Sequence, residues 1–260
     1  MKVALIQLGI RYGEPNVNFE RAKEKIKEAA AEGATVIVLP ELWNTGFDLK
    51  RLKEIADVDG ETTKQLLTEL SKELGIYIVG GSVATKKDGQ FYNTMYVTNK
   101  EGEVISEYDK VHLFSMVNEH HYLQQGNKKN MFAIEDVPMG GVICYDIRFP
   151  EWLRVHALEG AKVLFIPAQW PEQRIDHWKL LLQARAVENQ CFIIAVNSVS
   201  NQLKNTFTGQ SMAIAPWGEI LWTGHDKEEI GIVDIRLEEV EEVRNRIPVY
   251  KDRRDELYFN

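Results

Sequence analysis

Apolar runs of strand length alternate with amphipathic stretches of helical period along most of the chain. Residues 3–8 (VALIQL) predict a strand. Phe19, Ala22, Ile26, Ala29 and Ala30 then fall on one face of a helix that Gly33 can end. Residues 35–39 (TVIVL) form a continuous run rich in β-branched side chains, the pattern of a strand buried on both faces. Leu66, Leu67, Leu70 and Leu74 mark a second helix, closed by Gly75 and followed by the strand IYIVGG. Strands then cluster at 91–98, 103–108 and 131–135. The alternation resumes with a strand at 141–144 (GVIC), a helix over 151–159 ended by Gly160, and the strand VLFIP. A helix carrying Ile175, Trp178, Leu181, Leu182 and Arg185 precedes the strand CFIIAVN, and further strands are expected at 210–216, 219–223 and 230–235. This order predicts an α/β fold with helices covering buried sheets. The two halves repeat one outline, which hints at two sheets face to face, but pattern alone goes no further than α/β. With no linker, low-complexity tract or 20–50-residue repeat, residues 1–260 are expected to form one domain.

Composition narrows the class of protein. At 260 residues the chain can bury a large core without disulfides or structural metals. A formal charge of −8 and the lack of any basic stripe speak against nucleic-acid binding. The only cysteines are Cys144 and Cys191, which fits a reducing compartment. The N-terminal MKVALIQLGIRYG lacks a cleavage-site pattern, and no apolar run approaches the ~20 residues needed to span a bilayer. A cytoplasmic protein with no membrane partner is expected.

Several buried strands run straight into polar residues: VIVLP into Glu41, GVI into Cys144, VLFIPA into Gln169 and FIIAV into Asn197, while Lys110 ends VISEYD. In open α/β sheets, ligand sites lie beyond the carboxyl ends of strands. Taken singly, each residue has a bland reading: a solvated turn acid, a strand-end lysine, a thiol packed in a core. Cys191 fits the last description. Cys144 differs, because Tyr145 and Asp146 follow at once and suggest a turn into a helix, whose N–H groups favour thiolate. Together the three types make a working set. Glu41 can take the thiol proton and return it to a leaving nitrogen, and Lys110 can stabilise the oxyanion with the Tyr145 N–H.

LPELW around Glu41, YDKVHLF around Lys110 and GVICYDIRFPE around Cys144 closely resemble the Glu-Lys-Cys segments of the nitrilase superfamily of carbon–nitrogen hydrolases. HWKLLLQARAVENQ, GQSMAIAPWGE and RNRIPVYKDRRDELY look like its omega-amidase branch, nearest to the hydrolases associated with methionine salvage in bacteria. The likeness runs from VALIQL to the C-terminus. It implies a four-layer α-β-β-α sandwich, a homodimer, and hydrolysis of a small amide such as 2-oxoglutaramate or succinamate through a thioester on Cys144. Glu41 is then general base and acid and Lys110 the oxyanion donor. Glu119 matches the family's second carboxylate, its alternative being an exposed loop acid. Arg148 would bind a substrate carboxylate, unless it only pairs with an acid such as Glu151. Asp109, where many omega-amidases carry Arg, and PAQWP (167–171) depart from the family pattern around the pocket. The latter supplies Gln169 and Trp170 as candidate substrate-binding residues, and these departures leave the substrate open. An N-carbamoyl amino acid amidohydrolase would use the same triad, and a non-catalytic binding protein could share the fold. His112, His120, His121, His156, His177 and His225 lie in no recognisable protease or metal context. No G-x-G-x-x-G or P-loop occurs, so neither a cofactor nor a metal is expected.

Overall fold

The first strand, β1 (Lys2–Gln7), sends alternate side chains to opposite faces: Val3 and Leu5 join one buried cluster, Ala4 and Ile6 another. A computed structural model, which describes residues 1–202 and 205–258, shows what that division builds. After β1 come α1 (Pro15–Ala31), β2 (Val36–Val38), α2 (Leu52–Ile55), β3 (Asp57–Val58), α3 (Glu61–Leu74), β4 (Tyr77–Val79), β5 (Val83–Lys87), β6 (Gln90–Thr98) and β7 (Val104–Asp109). The chain continues through β8 (Met131–Ile134), β9 (Val137–Gly141), α4 (Pro150–Leu158), β10 (Val163–Ala168), α5 (Ile175–Asn189) and β11 (Phe192–Asn197). It closes with β12 (Val199–Gln202), β13 (Asn205–Thr208), β14 (Met212–Ile214), β15 (Ile220–Thr223), β16 (Glu229–Asp234) and α6 (Glu238–Arg246).

Among the described residues, one sheet has the order β16-β1-β2-β4-β6-β5-β3 with β7 also on β6, and a second the order β15-β14-β11-β10-β9-β8. β1, β2 and β4 run parallel, as do β9, β10 and β11. Val3, Leu5, Val36, Val38 and Val79 of the first sheet share one core with Phe165, Phe192, Ile194 and Val196 of the second. On the first sheet's other face, Ala4, Ile6, Ile37 and Ile78 pack under Ala22, Ile26 and Ala29 of α1 and Leu67 and Leu70 of α3. α5 lies on β11 and β14, with α4 beside it. The result is the α-β-β-α sandwich that the resemblance implied. No helix among the described residues is long and apolar enough to cross a membrane.

The differences from expectation lie where hydrogen bonding leaves the ladder. The strand expected at 141–144 stops at Gly141 and begins earlier, at Val137. The Ile143 N–H is taken by the Asp146 side chain instead of a strand partner. The strand expected at 131–135 ends at Ile134, because Glu135 and Asp136 turn with φ of 50° and 62°. That expected at 210–216 contracts to Met212–Ile214. α6 was not anticipated: EEVEEVRNR offers only Val240 and Val243 as an apolar stripe. β5, β12 and β13 were likewise not foreseen.

Candidate active site

Glu41 sits just past the end of β2, beside the end of β10 in the other sheet. Its N–H donates to the Ala168 carbonyl at 3.4 Å, at the end of β10. Pro40 before it packs so closely on Gly81 that a Cβ there would lie 2.1 Å from the Pro40 oxygen, and the φ of +60° at Gly81 also favours glycine. The Glu41 side chain is fully buried and multiply held. Oε1 accepts from Lys110 Nζ at 2.8 Å and from Asn93 Nδ2 at 2.9 Å, and Oε2 accepts from the Gln169 N–H at 2.9 Å. Gln169 Nε2 meanwhile donates to the Glu41 carbonyl at 2.7 Å. Gln169 therefore lines the pocket with its amide nitrogen engaged in orienting Glu41.

Lys110 follows β7 directly, anchored by its N–H to the Asn93 carbonyl at 2.9 Å. Its ammonium is almost wholly buried between two carboxylates, Glu41 and, at 2.9 Å, Glu119. Burial alone would push the ammonium down, but Glu119 and Glu41 outweigh it and hold Lys110 well above its ordinary range. Glu119 is no exposed loop acid: it is fully buried, and its Oε2 accepts the Phe114 N–H at 2.8 Å. Burial and the neighbouring Glu41 charge raise its carboxyl, against the pull of Lys110.

Cys144 opens a short 3₁₀ turn, Cys144–Arg148, with φ of 45°, in the left-handed region that few non-glycine residues enter. The turn is held by Asp146. Its Oδ2 accepts the Ile143 N–H and the Tyr108 hydroxyl, each at 2.8 Å. Its Oδ1 accepts the His112 N–H at 3.0 Å and lies 2.7 Å from His112 Nδ1. One carboxylate thus ties the cysteine turn to the segment after Lys110. Replacing Asp146 by Ala should orphan these buried donors and lower stability by about 2–4 kcal/mol; Asp146→Asn, which still accepts, should lose less. Urea denaturation midpoints of the two variants check this.

The thiol is hydrogen-bonded to Glu41. The expectation that a helix start favours thiolate is not met: burial and the Glu41 charge push the Cys144 thiol well above its ordinary range, outweighing Lys110. The sulfur therefore rests as a thiol, already in contact with the Glu41 side chain. Cys191 is fully buried away from the pocket, and burial pushes its thiol up to about 12.

Tyr145, Arg148 and Trp170 line the same pocket as Cys144, together with Phe114, Val117 and Arg174. Arg148 makes no ion pair with Glu151 among the described residues. Its guanidinium lies 4.8 Å over the Trp170 ring and 3.4 Å from His177 Nδ1. The structure thus gathers Lys110, Glu119, Cys144, Tyr145, Arg148, Gln169 and Trp170 around one cavity, with Glu41 directly behind them, bonded to Lys110, Gln169 and Cys144. Asn93, the clamp made by Asp146, and Arg174 escaped the sequence. Asn93 is a polar residue at a buried position of β6, a usable signal, whereas Arg174 stands in an ordinary polar segment.

A buried thiol, carboxylate and ammonium at the strand ends of an α-β-β-α sandwich define a class of enzyme that opens carbon–nitrogen bonds through sulfur. Residues 2–245 match the carbon-nitrogen hydrolase family, and the chain belongs to it, as a hydrolase of carbon–nitrogen bonds other than peptide bonds. It is 48% identical over 256 residues to the 2-oxoglutaramate amidase of Bacillus subtilis (strain 168), with 98% of each chain covered. Identity to the Homo sapiens omega-amidase NIT2 is 35%, over 99% of this chain and 96% of that one. Saccharomyces cerevisiae Nit3, a member of branch 10 of the nitrilase superfamily, superposes with a TM-score of 0.91 at 30% identity, covering 98% of this chain and 96% of that one.

Proposed function

We propose that the chain hydrolyses the terminal amide of a small acid-amide, of which 2-oxoglutaramate is the leading case, to the acid and ammonia. The observation that carries this is the contact of Cys144, Glu41 and Lys110 in a pocket that also presents the Arg148 guanidinium. The Cys144 proton passes to Glu41 as sulfur attacks the amide carbon, and the oxyanion is met by Lys110 and the Tyr145 N–H. Collapse of the tetrahedral adduct expels ammonia, protonated by Glu41, and leaves a thioester. Water then gives its proton to Glu41, attacks the thioester, and releases the acid and the thiol. Glu119 shares the Lys110 ammonium and fixes its direction. The names of the Bacillus and human relatives support the substrate class. A cytoplasmic homodimer serving methionine salvage fits the same reading.

Arg148 supplies the test. A carboxylate held by a fixed guanidinium is a charge-assisted contact worth ~1.5–3 kcal/mol, so Arg148→Ala should raise KM for 2-oxoglutaramate or succinamate by roughly one to two decades. An uncharged amide of equal length should lose little. Steady-state kinetics on both, after melting confirms the fold, decide it: equal losses would make Arg148 structural. A wild-type preference for carbamoyl amino acids would replace the acid-amide reading.

A further inference from the structure

A single guanidinium suffices for a single carboxylate, yet the pocket holds two. Arg174, half-buried, lines the same cavity with its guanidinium 5.3 Å over the Phe114 ring. Its backbone carbonyl accepts the Trp170 indole N–H at 2.7 Å, and the face of that same indole carries Arg148. Trp170 therefore supports the Arg148 guanidinium with its face and holds the Arg174 backbone with its N–H, while Phe114 carries the Arg174 guanidinium. Among the described residues neither guanidinium has an ion-pair partner, while the buried carboxylates of the site, Glu41 and Glu119, are both held by Lys110. Asp48, near the pocket residues Phe47 and Leu49, is paired with Arg51. The pocket lining thus carries two guanidinium groups that no carboxylate of the described residues neutralises.

From this we infer that Arg174 is a specificity-determining residue: it donates a hydrogen bond to the 2-oxo group of the substrate and repels an α-ammonium in its place. The inference rests on the acid-amide reading of the site. A 2-oxo acid presents its oxo and carboxylate oxygens side by side, a planar row of acceptors that suits guanidinium forks. An α-amino acid of the same length puts a cation there, beside two unpaired cations in a partly desolvated pocket, where like charges repel more strongly than in water. Selection of this kind works by a repulsive element as much as by an attractive one. The pocket is therefore built to take ω-amides of 2-oxo acids and to leave glutamine untouched.

Three amides of one chain length separate the effects: 2-oxoglutaramate, glutaramate, which has no α-substituent, and glutamine. Wild-type kcat/KM should fall in that order. In Arg174→Met, 2-oxoglutaramate should lose about tenfold, the scale of one charge-assisted hydrogen bond. Glutaramate should stay within about twofold, since the Arg148 anchor is intact. Glutamine should rise relative to glutaramate. Arg174→Lys, which keeps the charge and loses the fork, should still exclude glutamine. Thermal melting of both variants verifies folding. An unchanged ranking of the three substrates in Arg174→Met, with wild-type activity on 2-oxoglutaramate intact, overturns this inference alone. A wild-type enzyme inactive on all three overturns the acid-amide reading with it.

Discussion

Alanine at position 144 is expected to give a folded protein with no measurable turnover. Of the two cysteines, Cys144 touches Glu41 and lines the pocket, while Cys191 is sealed in the core. The substitution removes the nucleophile while keeping the Cβ, so the turn with φ of 45° remains as the wild-type backbone makes it. Because Cys144 is only 7% exposed, the lost sulfur leaves a small void rather than a new surface. Ammonia release beside a thermal melt separates chemistry from folding, and activity at the wild-type level would remove the nucleophile assignment. The matching control, Cys191→Ala, should keep its rate and melt lower. Iodoacetamide should modify Cys144 first in the wild type.

Lys110→Met is expected to lower kcat by ~10²–10³-fold, the usual loss for one oxyanion donor, with a much smaller change in KM. The same change removes the shared partner of two buried carboxylates, and breaking a buried ion pair from one side costs about 3–5 kcal/mol. Kinetics must therefore be read below the variant's own melting range, alongside urea titrations. Without the ammonium, the Phe114 N–H is left to oppose the burial and the Glu41 charge that already raise Glu119. Lys110 itself is raised relative to an unfolded lysine, so its stabilisation is fully present below the ordinary lysine range and disappears only as pH climbs through the raised value. A variant with near wild-type kcat would reduce Lys110 to support. Lys110→Arg should also fail, since a guanidinium is broader than the gap between Glu41 and Glu119 that an ammonium fills.

The strands with continuous apolar runs, β2, β10 and β11, were plain in the sequence because burial on both faces leaves no other composition open to them. The residues that terminate such strands were legible for the same reason: Glu41 and Gln169 interrupt apolar runs. Asp146 stood in view beside Cys144, but its bonds to Tyr108 and His112 join segments more than 30 residues apart, and no local period reports such a contact. The protonation of Cys144 is not legible in the sequence because helix polarity is local, while burial and the Glu41 charge, which oppose it, come from the tertiary fold. Short strands such as β5 escaped because VATKK has no run long enough to stand out.

Glu41 is stitched across the seam between the two sheets: it follows β2 of one, yet its backbone and side chain are bonded to Ala168 and Gln169 at the end of β10 of the other. The general base therefore has its place only while both sheets are docked in register. No fragment holding one sheet can be a weaker enzyme; it can only be an inactive one. A slip of the interface by a fraction of a bond length would reach the thiol before it reached any spectroscopic measure of folding. Selection for turnover in such a molecule acts on the fit of Val3, Leu5 and Val38 against Phe165 and Ile194 as surely as on the residues that touch substrate.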